Sequence, residues 1–217
     1  MKIFRKNKKY LKKDHSIGDT SNKGLIFIPD ISGFTELVKN TDMVTGKNIT
    51  FELLSTILKN NKLKLEVAEI EGDAVLFFKC NQLPSIIDIV DHFEILKIEF
   101  TKTKIELEEK YERNLKIDLK AIAHYGTITE FFLGGFRKLY GEVVVEAHHL
   151  LKNKINESSY LLITNELIES SIDIEYANKS INGLVTNKLC EIYNGLRNIC
   201  YSYILTENSF KLTPEHF

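Results

Sequence analysis

Residues 24–39, GLIFIPDISGFTELVK, and residues 62–80, KLKLEVAEIEGDAVLFFKC, decide the fold. The first opens on an apolar run, Gly24 to Asp30, closed by Pro29 and Asp30, which reads as a short buried strand. Ser32-Gly33-Phe34-Thr35 then turns the chain, and Glu36 to Lys39 begins a helix that resumes over Thr50 to Leu58. In the second stretch Leu63, Leu65 and Val67 alternate with Lys62, Lys64 and Glu66, the period of a strand with one wet face. Glu71-Gly72 makes a turn, and Ala74 to Phe78 returns as the partner strand of a hairpin.

Outward from these, Pro84 opens a long helix to about Asn114, with Ile86, Ile89, Val90, Phe93, Leu96 and Ile105 at spacings of three and four. A strand runs from Ile117 to His124, Gly126 punctuates it, and a further strand covers Thr127 to Leu133. Gly134-Gly135 is a hairpin turn. Gly141 to Leu151 reads as a helix despite its valines, and Tyr160 to Ile163 as a strand. Leu189 to Ile192 and Cys200 to Leu205 form a terminal hairpin. The class is α+β: a ferredoxin-like βαββαβ order, an antiparallel sheet with helices on one face, and a C-terminal β-hairpin appendage.

The chain has 217 residues, 43% hydrophobic and 27% charged, enough for one domain with its own core. That composition excludes a disordered chain, a collagen-like repeat and a disulfide-rich miniprotein. No apolar run approaches the roughly 18 residues that a membrane span needs. Residues 1–13 carry seven basic residues and no acid, without the apolar region of a secretory signal. The rest of the chain is acidic, 22 basic residues against 30 acids. The domain plan is therefore a basic arm over residues 1–22, to which no function is assigned, a folded unit over 23–207 and a tail over 208–217. Cys80, Cys190 and Cys200 show no metal-knuckle spacing. The expected compartment is the cytoplasm. Cys190 and Cys200 can face each other across the last hairpin, but free thiols are the expectation there.

Two acidic loops could carry chemistry. In residues 29–35, PDISGFT, an Asp ends a strand and a Gly-containing turn opens a helix, whose backbone N–H groups suit phosphate. In residues 71–74, EGDA, an Asp follows Gly at a hairpin bend. If the strand ends lie side by side, Asp30 and Asp73 can share Mg²⁺ bridging a triphosphate. Asp and Gly are also common turn residues regardless of chemistry.

The stretches FIPDISGFTEL (27–37), IEGDAVLFF (70–78), IAHYGTI (122–128) and YGEVVVEAHHLL (140–151), in this order, resemble the catalytic domain of class III adenylate/guanylate cyclases. The resemblance covers roughly residues 24–205, its closing hairpin lying in 183–205, and is nearest to a family of small uncharacterised bacterial cyclase-like proteins. It implies that Asp30 and Asp73, with the Ile31 carbonyl, hold two Mg²⁺ or Mn²⁺ ions, and that backbone N–H groups of Gly33, Phe34 and Thr35 cradle phosphate. It implies a nucleoside triphosphate as ligand, a 3′,5′-cyclic nucleotide and pyrophosphate as products, and a head-to-tail homodimer. Neither nucleic acid nor a membrane span is expected.

The chain departs from that family at the helix motif G-x-x-V-N-x-A-x-R. Val145 replaces the Asn that orients the ribose, and His149 replaces the Arg that neutralises transition-state charge. Glu69 and Lys138 stand at the base-selecting positions, where Glu69 either accepts from a guanine edge or pairs with Lys138 across the sheet. Two readings follow: a divergent cyclase with His149 in the catalytic Arg position, or a catalytically degenerate domain that binds a nucleotide or a protein. His148 and His149 are adjacent on a helix, about 100° apart, and do not share one ion easily. His124 is expected to be a packing residue at a strand end. No Ser-His-Asp pattern, Walker loop or Rossmann fingerprint occurs.

Overall fold

A computed structural model describes residues 21–171, 185–192, 195 and 197–205. In chain order the elements are β1 (Asn22–Ser32), α1 (Phe34–Asn40), α2 (Met43–Lys59), β2 (Glu66–Glu71), β3 (Ala74–Cys80), α3 (Ile86–Lys110) and β4 (Asp118–Leu133). They continue as β5 (Phe136–Tyr140), α4 (Glu142–Leu150), β6 (Leu161–Thr164), α5 (Asn165–Ser170), β7 (Val185–Ile192) and β8 (Asn198–Ile204). The sheet order is β2-β3-β1-β4-β6-β8-β7, with β5 pairing to the far half of β4. The α+β class and the βαββαβ order thus hold. The basic arm through residue 20 and the tail over 208–217 lie outside the described residues.

Strand β1 is central and buried on both faces, which explains its nearly continuous apolar run. Leu25, Phe27 and Ile31 pack on Ile49, Leu53 and Ile57 of α2 and on Phe93, Leu96 and Phe100 of α3. Ile26 and Ile28 face the other way, toward Val143, Ala147 and Leu150 of α4. Helices therefore cover both faces of the sheet, not one. Asp42 caps α2 by accepting from the Val44 and Thr45 N–H groups, and Ser85 and Asp88 form a capping box at the start of α3.

Several boundaries move, each for a local reason. Strand β2 begins at Glu66 instead of Leu63, because Lys64 adopts φ 53° and Asn61 bonds to both the N–H and the C=O of Leu65. The two strands expected around Gly126 are one strand of 16 residues. Gly126 is there for packing: a Cβ on it would lie 2.9 Å from Cβ of Val143, so its absence lets α4 settle onto β4. Gly134 and Gly135 do form the two-residue β4–β5 turn, at φ 61° and 84°. The closing hairpin pairs through β8 with β6 and so continues the main sheet. Cys190 and Cys200 sit opposite each other in its register and are joined as a disulfide, which corrects the expectation of free thiols.

His92 is an anomaly in the α2–α3 side of the core. It is 1% exposed, lies 5.2 Å from the Phe27 ring, and neither ring nitrogen has a partner among the described residues. Burial drives its pKa down to about 4. The unfolded chain therefore takes up a proton near pH 6.5 that the native state refuses until about pH 4. The contribution of His92 to stability is full above pH 6.5 and is lost as the pH drops through that window, by up to about 3 kcal/mol. Urea titrations of wild type and His92→Leu from pH 4.5 to 7.5 isolate it: the stability of the variant relative to wild type should rise as the pH falls.

Candidate functional site

The site forms where β1, β3 and β4 lie side by side. Asp30 pairs in register with Ala74 on one side and with Lys120 on the other. The Ile31 N–H donates to the Asp73 carbonyl at 3.3 Å, holding the β2–β3 turn against the end of β1. This brings the Asp30 carboxylate close enough for its charge to act on the Asp73 carboxyl. Burial, then the Asp30 charge beside it, raises the Asp73 pKa to about 6, with Lys120 acting in the opposite sense. Lys120 Nζ lies 3.2 Å from Asp30 Oδ2 and also donates to the Leu151 carbonyl at 3.3 Å. Lys120 was not singled out in the sequence. Its signal was available only through register, since it lies within a β4 run whose neighbours are apolar.

Asp30 and Asp73 open into a cleft of about 400 Å³, whose wall also includes Glu69, Glu71, His148 and Lys152. Glu69 and Lys138 are paired at 2.5 Å, the second of the two arrangements open to them from sequence. That hydrogen bond, and then the charge of Glu69, raises the Lys138 pKa. The neighbouring Arg137 is held by Glu66 at 2.5 Å and Glu130 at 3.3 Å, with its guanidinium over the Phe78 ring.

Ile31 follows Asp30 at the end of β1, its backbone against Asp73 and its side chain buried. Gly33 begins α1 at φ 82°, and a Cβ there would lie 2.3 Å from the Lys116 carbonyl oxygen, which is a structural reason for glycine. It lines a separate cavity of about 580 Å³ with Glu36, Asn40 and Arg113, and Phe34 packs against the core. Thr35 is exposed. On α4, Val145 is 49% exposed, and His149 follows one turn later on the same side of the helix. His148, not His149, lines the cleft of Asp30 and Asp73.

A buried polar network seats α4. His124, fully buried in mid-strand and not at a strand end, meets Thr164 Oγ1 through Nδ1 and Glu146 Oε2 through Nε2, each at 2.8 Å. Arg197 donates to both oxygens of Glu146, at 2.7 and 3.0 Å, and also to Glu166. Burial pushes the Glu146 pKa up, but the hydrogen bonds from His124 and Arg197 outweigh it and hold it at about 2. Glu146 interrupts an apolar helix face, and that interruption was the one sign of the network in the sequence.

The profile of the family described as "Protein of unknown function (DUF2652)" matches residues 50–160. No curated protein sequence matches the chain. Among solved structures, the adenylyl cyclase CyaB from P. aeruginosa aligns with a TM-score of 0.60 at 19% identity, covering 86% of this chain and 95% of that one. The guanylyl cyclase Cya2 aligns at 0.68 and 10% identity, over 86% and 92%. A class III adenylyl cyclase-like ATP-binding protein from Pseudomonas aeruginosa aligns at 0.58 and 13% identity, over 74% and 40%. At these identities the likeness establishes the fold.

Two outcomes test this geometry. Asp30→Asn removes the charge that raises Asp73 and leaves Lys120 close by, so the Asp73 carboxyl should titrate below pH 6, read from its carbon chemical shift. Glu146→Ala leaves the buried His124 Nε2 without its partner and removes two of the bonds of Arg197, and should cost about 3 kcal/mol in urea unfolding at pH 7.

Proposed function

The chain belongs to the DUF2652 family, and on the cyclase fold that it carries we propose that it is a divergent class III nucleotidyl cyclase-like protein binding a nucleoside triphosphate with divalent metal. The observation that carries this reading is the pair of adjacent carboxylates, Asp30 and Asp73, in an open cleft with Lys120 beside them. The donor set fits Mg²⁺ or Mn²⁺, since these cations take one or two carboxylates and complete their shell with water and phosphate oxygens. The raised pKa of Asp73 supports the fit: a carboxyl whose ionisation is opposed by burial and then by the neighbouring Asp30 charge gains from a bound cation. Asp30 and Asp73, with the Ile31 carbonyl, would hold the ions. A divalent cation bound there neutralises phosphate charge and favours ionisation of an attacking hydroxyl.

The chain's own residues define the rest. Lys120 supplies a fixed positive charge at the phosphate end of the cleft. The Glu69–Lys138 ion pair occupies the base end, so a nucleobase binds by engaging or separating two groups that already satisfy each other. Val145 offers a ribose only methyl contacts, and His149 stands where the cyclase helix motif has an arginine. In reactions of this kind the arginine accounts for about 10³–10⁵ in rate. These two residues favour nucleotide binding with weak or no turnover, and a non-catalytic nucleotide-binding module is the second reading.

A second copy of the chain is the partner that the surface fits. The β4–β5 ribbon projects Phe131, Phe132, Leu133, Phe136 and Tyr140 into solvent, an apolar surface suited to a protein interface. The exposed Val145 lies on the helix that immediately follows this ribbon.

Binding of ATP and GTP with Mn²⁺, followed by calorimetry, and mass spectrometry of the products test the proposal. Wild type should bind at least one triphosphate, and the Asp30→Asn, Asp73→Asn protein should bind neither while keeping its circular dichroism. Val145→Asn with His149→Arg should raise 3′,5′-cyclic product by about 10³ or more over wild type. Triphosphate binding that is unchanged by loss of both aspartates would refute the reading.

A further inference from the structure

A second group of ligand-type side chains lies on the same cleft, built from different residues. Glu69 and Glu71 are two apart on β2, so they project on the same side of the strand. His148 comes to them from α4, across the second core. One donor atom from each of the three lies within 4.8 Å of the other two. Bonds of about 2.0–2.2 Å place two ligands of a tetrahedral ion about 3.4 Å apart, so side-chain movements of up to about 1.5 Å would close the set. All three side chains are at least partly exposed.

The pairing of Glu69 fits this role. Its Oε2 holds Lys138 at 2.5 Å, while Oε1 turns toward His148 Nε2, 3.8 Å away. That 3.8 Å is too long for a hydrogen bond and spans the gap that an ion between the two atoms would occupy. One oxygen of Glu69 can thus take a cation while the other keeps Lys138. Four carboxylates, those of Asp30, Glu69, Glu71 and Asp73, line this single cleft, so a further positive charge is favoured there.

We propose that Glu69, Glu71 and His148 form a binding site for a borderline divalent cation of the Zn²⁺ class, separate from the Asp30–Asp73 pair. The class follows from the ligands. Imidazole nitrogen with two carboxylates suits zinc and its first-row neighbours, whereas Mg²⁺ prefers an all-oxygen shell. Three protein ligands leave a fourth position open to water or to a phosphate oxygen from the adjoining part of the cleft. An ion there ties the edge strand β2 to helix α4 and withdraws a Glu69 oxygen from any nucleobase. The site stands on its own ligand set and does not depend on nucleotide binding.

The test is equilibrium dialysis of the chelator-treated full chain against micromolar Zn²⁺, with metal measured by atomic absorption. Cys80→Ser serves as the background, because Cys80 is the one free thiol among the described residues. One Zn²⁺ per chain is expected, retained in the presence of millimolar Mg²⁺, and weakened about tenfold or more by His148→Ala and by Glu71→Gln. The Asp30→Asn, Asp73→Asn protein should keep its zinc, which separates this site from the nucleotide reading. Binding at micromolar Zn²⁺ should also raise the wild-type melting temperature, and His148→Ala should remove that increase. Absence of zinc from the wild type, wild-type affinity in both single variants, or loss of zinc only in the double aspartate variant would each overturn the assignment.

Discussion

The register of β1 is the constraint on which the rest of the molecule depends. Because alternate residues of this strand belong to different cores, a slip of one residue would move Phe27 and Ile31 into the space of Ile26 and Ile28 and disrupt both. The same register sets Asp30 opposite Ala74 and Lys120. Apolar packing on both sides of the strand thus fixes two acids and a lysine that it never touches. The carboxylates are held together against their own repulsion by burial energy gained elsewhere along β1. Burial of the Asp73 carboxyl, and after it the Asp30 charge, raises the Asp73 pKa.

The second face of the sheet depends on a polar seam rather than on apolar contacts alone. Helix α4 is only nine residues long and carries three consecutive valines, which favour strands. It is seated by Val143 against Gly126 and by Glu146, which is buried between His124 and Arg197. Such a buried charged group is costly unless every oxygen is satisfied, and here both Glu146 oxygens are. The directional bonds to Glu146 fix the rotation of α4 about its axis. That rotation decides that His148 lines the cleft while Val145 faces solvent.

How far the sequence discloses this arrangement depends on the range of the interactions. The βαββαβ order is legible because hydrophobic period and turn residues are local, as in Gly134-Gly135 and the spacing of Ile86, Ile89, Val90 and Phe93 along α3. The start of β2 is not, since Asn61 bridging Leu65 is a side-chain choice that no alternation of Leu and Lys reports. Gly126 resembles a break for the same reason: its purpose is the approach of Val143, 17 residues further on. At the site, Asp30 and Asp73 stand out as acids at strand ends, and the Glu69–Lys138 pair is one of two arrangements open to those residues. Lys120, Glu146 and the facing of His148 depend on register and helix rotation, which residue types alone do not encode.

The placement of α4 bears on what the cleft can do. A cyclase of two identical chains draws its acids from one copy and its ribose and charge-neutralising groups from the other. Here one helix carries residues in both directions. His148 turns toward Glu69 of its own chain, while Val145, one turn before His149, lies on the surface that a second copy would meet. Val145, which departs from the cyclase helix motif, is on the outward side, and the inward side sets an imidazole beside two glutamates. On the proposed reading, Val145 and His149 would weaken what a second copy contributes to transition-state charge, while Glu69, Glu71 and His148 would add metal ligands to the cleft. Such a cleft would hold cations and phosphates more readily than it would turn a nucleotide over.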